Sequence, residues 1–292
     1  MNRLTIAIPT FRRPQDLKRA VSGVLEQAGE LARGSSAEAR EPEGDAAGAA
    51  DTDGGAGRGV SDVEVLVIDN DAQGTGHEAA LAAAADAGVP VRSSAEGSEE
   101  PGGVGLRYVI EERPGVAAVR NRALDETGGR DLLVFIDDDE EPEPGWLAAL
   151  VGLWASTGCQ AVAGPVIPAY EVEPEAWVRQ GEFFVRRTWP TGTVRPVAAS
   201  NCLLLDLGFV RRAGLRFDEA FGATGGEDTL FTRRLSAAGG VIRWCDEARV
   251  RDHVPASRLT RPWILRRQRS HAATSVRGIP PSHQVRRMLS AS

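Results

Sequence analysis

The sequence predicts an α/β fold, in which a mostly parallel sheet is flanked by helices within a single domain. Short apolar runs of strand length alternate with segments whose apolar residues recur at helical spacing, and this alternation is typical of a doubly wound parallel sheet. Residues 132–136 form an unbroken apolar run, as expected for a strand covered on both faces. With 292 residues, of which 42% are hydrophobic and 26% charged, the chain can bury an ample core.

The first half supplies the regular part of the predicted sheet. Residues 4–8 are predicted to form a buried strand, and residues 14–28 carry an apolar stripe at helical spacing. The further predicted elements are strands at 63–68, 106–110 and 132–136 and helices at 76–87, 115–127 and 144–156. Between these elements, we expect a disordered insertion at 29–62, which has few large apolar side chains, and a flexible loop at 93–105.

The second half is less regular. Its predicted elements are strands at 161–167, 198–205, 241–245 and 249–253 and helices at 175–187, from 227 onward and at 262–275. A glycine-rich loop, residues 222–226, precedes the helix that begins at Glu227. We expect residues 1–256 to form the single domain and residues 257–292 to form a basic C-terminal extension.

Charge is distributed unevenly along the chain. The net charge is −7, yet residues 257–292 contain eight arginines and no acidic residue. The rest of the chain is therefore strongly acidic, which argues against broad nucleic-acid binding. The extension could rest on an anionic membrane through Trp263, Ile264, Leu265 and the arginines that follow them. The alternative is a helix packed on the domain, and liposome flotation with and without residues 257–292 would distinguish the two.

Cysteine usage and hydropathy predict a cytoplasmic protein, with contact at the inner face of the membrane as an option. The three cysteines are widely spaced and form no C-x-x-C pair, so we expect reduced thiols rather than disulfides or a zinc site. No apolar run approaches the roughly 18–20 residues of a membrane span, and no signal peptide is evident.

An acidic cluster follows the predicted strand at 132–136. Asp137, Asp138 and Asp139 are succeeded by Glu140 and Glu141, and such carboxylates repel one another unless a cation lies among them. In an extended chain, Asp137 and Asp139 point to the same side. Two carboxylates at a strand end suit Mg²⁺ or Mn²⁺ that carries substrate phosphates. A solvated acidic turn before the next helix is the alternative reading.

Other candidate residues follow the neighbouring strands. Asp69 ends the strand at 63–68, and its carboxylate could accept hydrogen bonds from a pyrimidine base or a ribose, or could simply close a turn. Right-handed crossovers place the C-terminal ends of these strands at one edge, where ligands bind in such sheets. We therefore expect Pro9, Thr10, Asp69 and residues 137–139 to share one crevice.

Two helix starts add further candidates. The helix that begins near Gly115 offers free N–H groups to an anion, and Arg113, Arg120 and Asn121 lie on or beside it, where an arginine could hold a phosphate or remain on the surface. At the second helix start, Glu227 has the spacing of a capping box with Thr224.

Asp228, the next residue, suits a general base because a carboxylate at a helix N-terminus stays ionised, although favourable interaction with the helix dipole would explain it equally well. Farther along the chain, His253 could complete a Mn²⁺ site with Asp139, or could be a hydrogen-bonded structural residue.

Taken together and in order, these segments resemble the inverting family 2 glycosyltransferases of GT-A fold, which have a Rossmann-like sheet. The resemblance extends over roughly residues 3–255, apart from the two insertions. The motifs that carry it are IPTFRRP, VLVIDND, PGVAAVRNRALDE, VFIDDDEEPEPGWL, FDEAFGATGGEDTLFTRRLSAAG and a late histidine in RDHVP.

The resemblance implies a nucleotide-diphosphate sugar as donor, with UDP or dTDP as the expected nucleotide, and a hydroxyl acceptor that could be a saccharide, a lipid-linked molecule or a natural product. Asp228 would be the catalytic base, with Glu227 beside it in the family's ED motif. Asp139 would be the main ligand of Mg²⁺ or Mn²⁺, as the second aspartate of a D-x-D pair, and His253 would approach the metal. Asp137 would contact the ribose or the metal, with Asp138 as the alternative because three consecutive aspartates leave the register open. The other residues implied in nucleotide-sugar binding are Pro9, Thr10, Arg12, Asp69, Asp71, Arg113, Arg120, Asn121 and Asn201.

Two competing functions remain to be weighed. Nucleotidyl transfer also uses an α/β sheet, a metal and a nucleotide, but its usual glycine- and arginine-rich opening loop is missing, since IPTFRRP contains no glycine. A nucleotide-sugar-binding module without turnover is the second alternative. Retention of both the triple aspartate and Glu227-Asp228 argues against it.

Overall fold

A large mixed sheet forms the centre of the protein. The structure is a computed structural model and describes residues 1–38, 59–93, 103–221 and 225–277. Within these residues the sheet has nine strands in the order β3-β4-β2-β1-β5-β10-β7-β11-β9. Its strands are β1 (Asn2–Thr10), β2 (Val60–Asp69), β3 (Val91–Arg92), β4 (Gly103–Ile110), β5 (Leu132–Ile136), β7 (Ala161–Ala163), β9 (Val194–Arg195), β10 (Cys202–Asp206) and β11 (Ile242–Trp244).

Helices cover both faces of this sheet. They are α1 (Pro14–Glu38), α2 (His77–Asp86), α3 (Val116–Glu126), α4 (Trp146–Thr157), α5 (Ala176–Gln180), α6 (Leu207–Arg212), α7 (Glu227–Ala237) and α8 (Arg261–Arg277). Side chains of α1, α2 and α4 pack with one face of the sheet, and those of α3, α6 and α7 pack with the other. Residues 4–8 of β1 are buried on both faces of the sheet, which explains why this strand is mostly apolar and does not alternate with polar residues.

The strand pairing confirms the predicted α/β class with a mostly parallel sheet. The pairs β1–β2, β1–β5, β2–β4, β3–β4 and β7–β11 are parallel. Strand β10 runs antiparallel to both β5 and β7. Because β1 lies between β2 and β5, the C-terminal ends of these strands meet at one edge, and Thr10 pairs with Asp69 in the parallel register.

Parts of the two segments predicted to lack regular structure are helix or strand in the described residues. Helix α1 continues to Glu38, so residues 29–38 are helical rather than disordered. The reason is that Ala28 and Leu31 extend the apolar stripe of α1 onto the core, and this burial outweighs the polar composition. Strand β4 begins at Gly103, so 103–105 belong to the sheet. Strand β2 begins at Val60, so residues 60–62 of the predicted insertion also belong to the sheet. Residues 39–58 and 94–102 of the two predicted segments lie outside the described residues.

The predicted boundaries in the second half also change. The single strand expected at 161–167 is two strands, β7 and β8 (Val166–Tyr170), which belong to different sheets. Gly164 lies at the break, where an added Cβ would collide with the Ala248 carbonyl oxygen and Cys202 Sγ. The helix expected at 175–187 is only the short α5, and in the irregular segment after it Phe184 packs on Trp263 and Arg186 lines the cavity described below.

A second, smaller sheet stands beside the edge of the large one. In the described residues it has three strands in the order β6-β12-β8, with β6 at Glu140–Pro142 and β12 at Val250–Val254. An aromatic and aliphatic cluster, which includes Phe184, Val254 and Ile264, packs α8 against the loop that follows α5. The basic helix is thus packed through Ile264 and Trp263, while Leu265 is exposed. The domain boundary at 256 and the membrane contact of residues 257–292 stay predictions.

No helix among the described residues combines the length and the apolar character needed to cross a bilayer.

Candidate active site

An open cavity of about 670 Å³ lies at the C-terminal ends of β1 and β5. The first half of the chain lines one side with the ends of β1 and β2, the start of α3 and the residues after β5. The second half lines the other side with the loop after α5, strand β12 and the region of α8. The lining residues of the first half are Pro9, Thr10, Phe11, Arg13, Asn70, Pro114, Gly115, Val116, Val119, Arg120, Asp137, Asp138, Asp139 and Glu140. Those of the second half are Arg186, Asp252, Arg258, Trp263 and Arg267.

The triple aspartate enters this cavity directly from the buried strand β5. Asp138 accepts a hydrogen bond of 2.8 Å from Thr10 Oγ1 and pairs with Arg13 Nη1 at 3.1 Å. Asp139 pairs with Arg13 at 3.0 Å and with Arg258 Nη2 at 2.9 Å. Burial raises the pKa of Asp138 to about 6, although Arg13 and Thr10 favour its ionised form. The carboxylates of Asp138 and Asp139 are therefore paired with arginine side chains in the cavity.

Asp137 differs from its neighbours because it opens onto the cavity, with 35% of its side chain exposed. It still lies deep among protein groups, and burial raises its pKa above the ordinary aspartate value. Arg120, whose Nη2 is 3.5 Å from Asp137 Oδ1, opposes this rise. The charges of Asp139 and Asp228 add to it, so Asp228 lies close enough to Asp137 to influence its ionisation.

Arg120 connects the acidic strand end to the start of α7. This buried arginine forms an ion pair with Glu227 Oε1 in addition to its contact with Asp137. Glu227 is buried as well, and its Oε2 has no hydrogen-bond partner among the described residues. Asp228 is half-buried and accepts a hydrogen bond of 2.5 Å from the backbone N–H of Thr229. The start of α7 is thus tied to the cavity, although Asp228 is not among the described residues that line it.

The structure does not bring Asp69 to the cavity. Its side chain is fully buried, and its two oxygens accept hydrogen bonds from Asp71 N at 2.9 Å, Gly76 N at 2.8 Å and Tyr108 Oη at 2.5 Å. Burial and the hydrogen bond to Asp69 raise the pKa of the Tyr108 hydroxyl. These contacts are those of a turn-closing aspartate, so direct recognition of a base by Asp69 finds no support in this geometry.

Asp71 and Arg12 form an ion pair with each other and are not among the residues that line the cavity. Arg12 Nε lies 3.2 Å from Asp71 Oδ2, and Thr75 Oγ1 donates a 3.0 Å hydrogen bond to the same oxygen. Arg12 has a φ of 56° and a side chain that is 60% exposed. This pair fastens the loop after β1 to the loop after β2.

Three further predicted residues hold the surrounding structure and do not line the cavity. Arg113 is exposed and pairs with glutamates 111 and 219. Asn121 holds the backbone of Phe217 with both atoms of its side-chain amide: Nδ2 donates to Phe217 O and Oδ1 accepts from Phe217 N, at 2.9 Å each. Asn201 is buried and donates a hydrogen bond to Glu140, so it acts on the site only through that carboxylate.

His253 lies away from the carboxylates that it was expected to join. Its Nε2 is 3.1 Å from Glu141 Oε2, and neither residue lines the cavity. The physical reason is the alternation of side chains along β12: Asp252, the preceding residue, faces the cavity, and His253 therefore points to the opposite face. The contact with Asp139 is made only by the backbone, where His253 N donates to Asp139 O at 3.1 Å. His253 thus does not line the cavity, and its approach to a metal stays a prediction.

Several cavity residues were missed by the reading of the sequence. Asn70 is the clearest, because it follows Asp69 in the strand-end motif and its side chain fixes the start of α3. Its Nδ2 donates to Glu111 O and Arg113 O at 2.7 Å each, and its Oδ1 accepts from Gly115 N at 2.8 Å. Gly115 has a φ of 111°, which a residue with a side chain would adopt only with strain.

The donor set of the cavity fits a divalent cation that is held partly by substrate phosphates. The described residues contain no group of three His, Cys, Asp or Glu side chains arranged to hold a metal ion. Mg²⁺, however, is commonly bound by one or two carboxylates together with phosphate oxygens. Asp137 and Asp139 provide two such hard ligands, and the two guanidinium groups at Asp139 show that this position attracts cations.

The sequence comparisons agree with one another. The sequence model described as "Glycosyl transferase family 2" matches residues 56–205. A curated relative, succinoglycan biosynthesis protein ExoM of Rhizobium meliloti (strain 1021), is 32% identical over 212 residues. The alignment covers 70% of this chain and 62% of ExoM, so the chain spans somewhat less than two thirds of that relative.

Solved structures share the fold. A crystal structure of residues 1–349 of S. aureus TarS has a TM-score of 0.54 and 13% identity, covering 86% of this chain and 60% of that one. GalNAc-T7, solved with UDP, GalNAc and Mn²⁺, has a TM-score of 0.57 and 13% identity, covering 87% of this chain and 44% of that one. At this identity the likeness concerns the fold, and it confirms the predicted GT-A architecture. Since the family match runs from just before β2 into β10 and spans half of the sequence, the chain belongs to glycosyl transferase family 2.

Proposed function

We propose that the chain is an inverting glycosyltransferase that moves a sugar from a nucleotide-diphosphate sugar to an acceptor hydroxyl, with Asp228 as general base. The observation that carries this proposal is the ion-pair chain Glu227–Arg120–Asp137, which joins the start of α7 to the acidic end of β5. Acceptor activation and leaving-group stabilisation require groups on two sides of one sugar. These contacts connect the start of α7, which carries Glu227 and Asp228, to the acidic strand end that lines the cavity.

The proposed reaction is a single displacement. Asp228 takes the proton of the acceptor hydroxyl, whose oxygen attacks the anomeric carbon while the bond to the diphosphate breaks on the opposite face. Inversion at that carbon follows from attack opposite the leaving group. Arg120, held between Glu227 and Asp137, keeps the distance between base and donor constant. Pro9, Thr10 and Asn70 shape the wall at which the nucleotide would lie.

Asp137 and Asp139 are the residues that would hold Mg²⁺ or Mn²⁺, and the metal would neutralise the charge that develops on the departing diphosphate. Mn²⁺ is present in the GalNAc-T7 structure. Arg13 and Arg258 pair with Asp139, so these arginines provide positive charge at the same position.

We expect Asp139→Ala to abolish the metal-dependent part of nucleotide binding. Calorimetric titration with UDP in Mn²⁺ and in EDTA separates the metal-dependent part from the rest. Glu141→Ala is the matched control, because Glu141 belongs to the same acidic stretch but pairs with His253 outside the cavity. Equal metal-dependent affinities for the wild type and the Asp139 variant would remove Asp139 from the metal site.

Release of nucleoside diphosphate from a nucleotide sugar tests the function itself. A glycosyltransferase is expected to release it slowly with water in place of the acceptor, in a metal-dependent manner. UDP- and dTDP-sugars are the first donors to assay. A chain that binds these compounds and releases nothing from any of them would be a binding module instead, and the proposed activity would be wrong.

A cytoplasmic location is part of the proposal, since a nucleotide-sugar donor is a compound of the cell interior. The acceptor proposed here is a saccharide or lipid-linked hydroxyl compound. ExoM is named for succinoglycan biosynthesis, and this name supports a saccharide acceptor without identifying it.

A further inference from the structure

The three aspartates after β5 lie in a turn that Glu140 closes twice. The backbone N–H of Glu140 donates to the carbonyl oxygen of Asp137 at 3.2 Å. In return, Glu140 Oε2 accepts a hydrogen bond of 3.1 Å from the backbone N–H of Asp137. A glutamate side chain that bonds back to the N–H three residues earlier is one half of a capping box, which fixes the first turn of many helices. Here the same contact fixes the turn that carries Asp138 and Asp139.

Glu140 is itself held from the neighbouring strand. Its Oε1 accepts a hydrogen bond from Asn201 Nδ2. Cys202 pairs with Ile136 in the antiparallel register of β10 and β5, so Asn201 enters β10 beside the point at which the chain leaves β5. Glu140 is 2% exposed and Asn201 is 6% exposed. The turn is thus anchored to the large sheet through two buried side chains.

The contacts of Glu140 differ from those of the aspartates before it. Asp138 and Asp139 pair with arginines, whereas Glu140 takes part in no ion pair among the described residues. Each of its two oxygens instead faces one N–H donor, from Asp137 and from Asn201. Buried polar groups need such partners, and loss of the glutamate would leave both donors unpaired. These two hydrogen bonds are therefore the contacts through which Glu140 acts on the site.

The conformation of the turn determines where its carboxylates point. Thr10 holds the middle aspartate, Asp138, at the end of β1. Asp137 and Asp139 lie on either side of it and both line the cavity. Mg²⁺ requires near-ideal octahedral geometry with short distances to its ligands, so two carboxylates can share one ion only if the backbone between them is fixed. Glu140 fixes that backbone from beyond its last aspartate.

We propose that Glu140 is a positioning residue of the metal site. Anchored by Asn201, it holds the turn in the conformation in which Asp137 and Asp139 bind one divalent cation. This inference rests on the proposed function, because it takes these two aspartates as the metal ligands. Replacement of the groups that orient metal ligands typically lowers metal affinity by about 10- to 100-fold. The alternative role for Glu140, which also lines the cavity, is that of a direct ligand.

Binding of Mn²⁺ to the full chain in the presence of UDP tests the positioning role. Electron paramagnetic resonance measures it, because free Mn²⁺ gives a sharp signal that disappears on binding. Glu140→Leu is expected to weaken Mn²⁺ binding by about 10- to 100-fold. Glu140→Gln keeps an oxygen for the Asp137 N–H, and the amide of Asn201 can turn to accept from the new NH₂ group. Its loss of affinity is therefore expected to stay below about tenfold.

Asn201→Leu tests the anchor of Glu140. This substitution removes the donor to Glu140 Oε1 and is expected to weaken Mn²⁺ binding as well. Added to Glu140→Leu, it should cause no further loss, because Asn201 acts through Glu140 and the two effects are then not additive. Glu141→Leu is the matched control, since Glu141 is the next residue of β6 but pairs with His253 and does not line the cavity.

Thermal unfolding in EDTA shows whether each variant is folded, and the Asn201 variant decides the question if Glu140→Leu is not. A loss in Glu140→Gln as large as that in Asp139→Ala would make Glu140 a metal ligand and overturn the positioning role. Unchanged affinity in Glu140→Leu, or an equal loss in Glu141→Leu, would overturn it too. These results would leave the proposed function intact. A wild type that binds no Mn²⁺ with UDP would instead remove metal assistance from the proposed function, and the positioning role with it.

Discussion

Replacement of Asp228 by asparagine is expected to lower turnover by about 10²- to 10⁴-fold, the usual contribution of a general base. The amide has nearly the same shape as the carboxylate but cannot accept a proton from the acceptor hydroxyl. Its oxygen can still accept the hydrogen bond from the Thr229 N–H, which is 2.5 Å in the structure. The start of α7 should therefore keep its conformation, and the affinity for nucleotide should be unchanged.

The measurement is single-turnover release of nucleoside diphosphate from a donor that the wild type uses, together with calorimetric titration of UDP. Asp246→Asn provides the control, because Asp246 is a surface carboxylate that pairs with Arg249 away from the cavity. A loss of turnover confined to the Asp228 variant, at constant nucleotide affinity, identifies an interaction made only in the transition state. Near-normal turnover by that variant would exclude Asp228 as the base.

Replacement of Arg107 by methionine is expected to destabilise the fold by about 3–5 kcal/mol, the typical cost of removing one partner from a buried ion pair. Arg107 on β4 is buried and pairs with Glu64 on β2 at 3.1 Å and with Glu126 of α3. After the substitution, Glu64 keeps only the 3.5 Å contact with Arg130 among the ion pairs of the described residues. Methionine fills much of the space of the arginine stem, so the loss is mainly that of the charge.

Denaturant-induced unfolding measures this loss as a change in the midpoint. The matched control is Arg122→Met, which removes a half-exposed arginine that also pairs with Glu126 and is expected to cost less than about 1 kcal/mol. The buried ion cluster lies near the N-terminal ends of β2 and β5, at the edge of the sheet opposite the cavity. Nucleotide affinity of the folded Arg107 variant should thus remain that of the wild type. Equal stability of the two variants would show that the buried pair contributes no more than a surface pair.

The parallel half of the sheet could be predicted because its signals are local. Apolar runs such as residues 132–136 need burial on both faces, and the stripe of α1 needs the sheet as its partner. The expectation that Thr10 and residues 137–139 meet at one edge follows from this regularity, since right-handed connections leave few other arrangements. Local composition misled the prediction at the end of α1, where a few apolar contacts sufficed to extend a helix through polar residues, and at the first residues of β2 and β4.

The roles of individual residues at the cavity depend on tertiary contacts, which the local sequence pattern does not specify. The sequence allowed Asp69 to be a binding residue or a turn residue. In the structure its buried carboxylate accepts hydrogen bonds from Gly76 N and Tyr108 Oη, as expected for a turn residue. The register of β12 decided that Asp252 faces the cavity and His253 does not, because a shift of one residue along a strand exchanges its two faces.

The motifs of the family and the acidic strand end could be recognised in the sequence, because each of them consists of consecutive residues. The meeting of Arg186, Arg258 and Arg267 at the cavity could not be predicted, because these residues carry no motif and are far apart along the chain. Only the packing of α8 and the loop after α5 on the small sheet brings their charges to one cavity. Electrostatic interactions depend on distance in space, and for these residues that distance is a property of the folded chain.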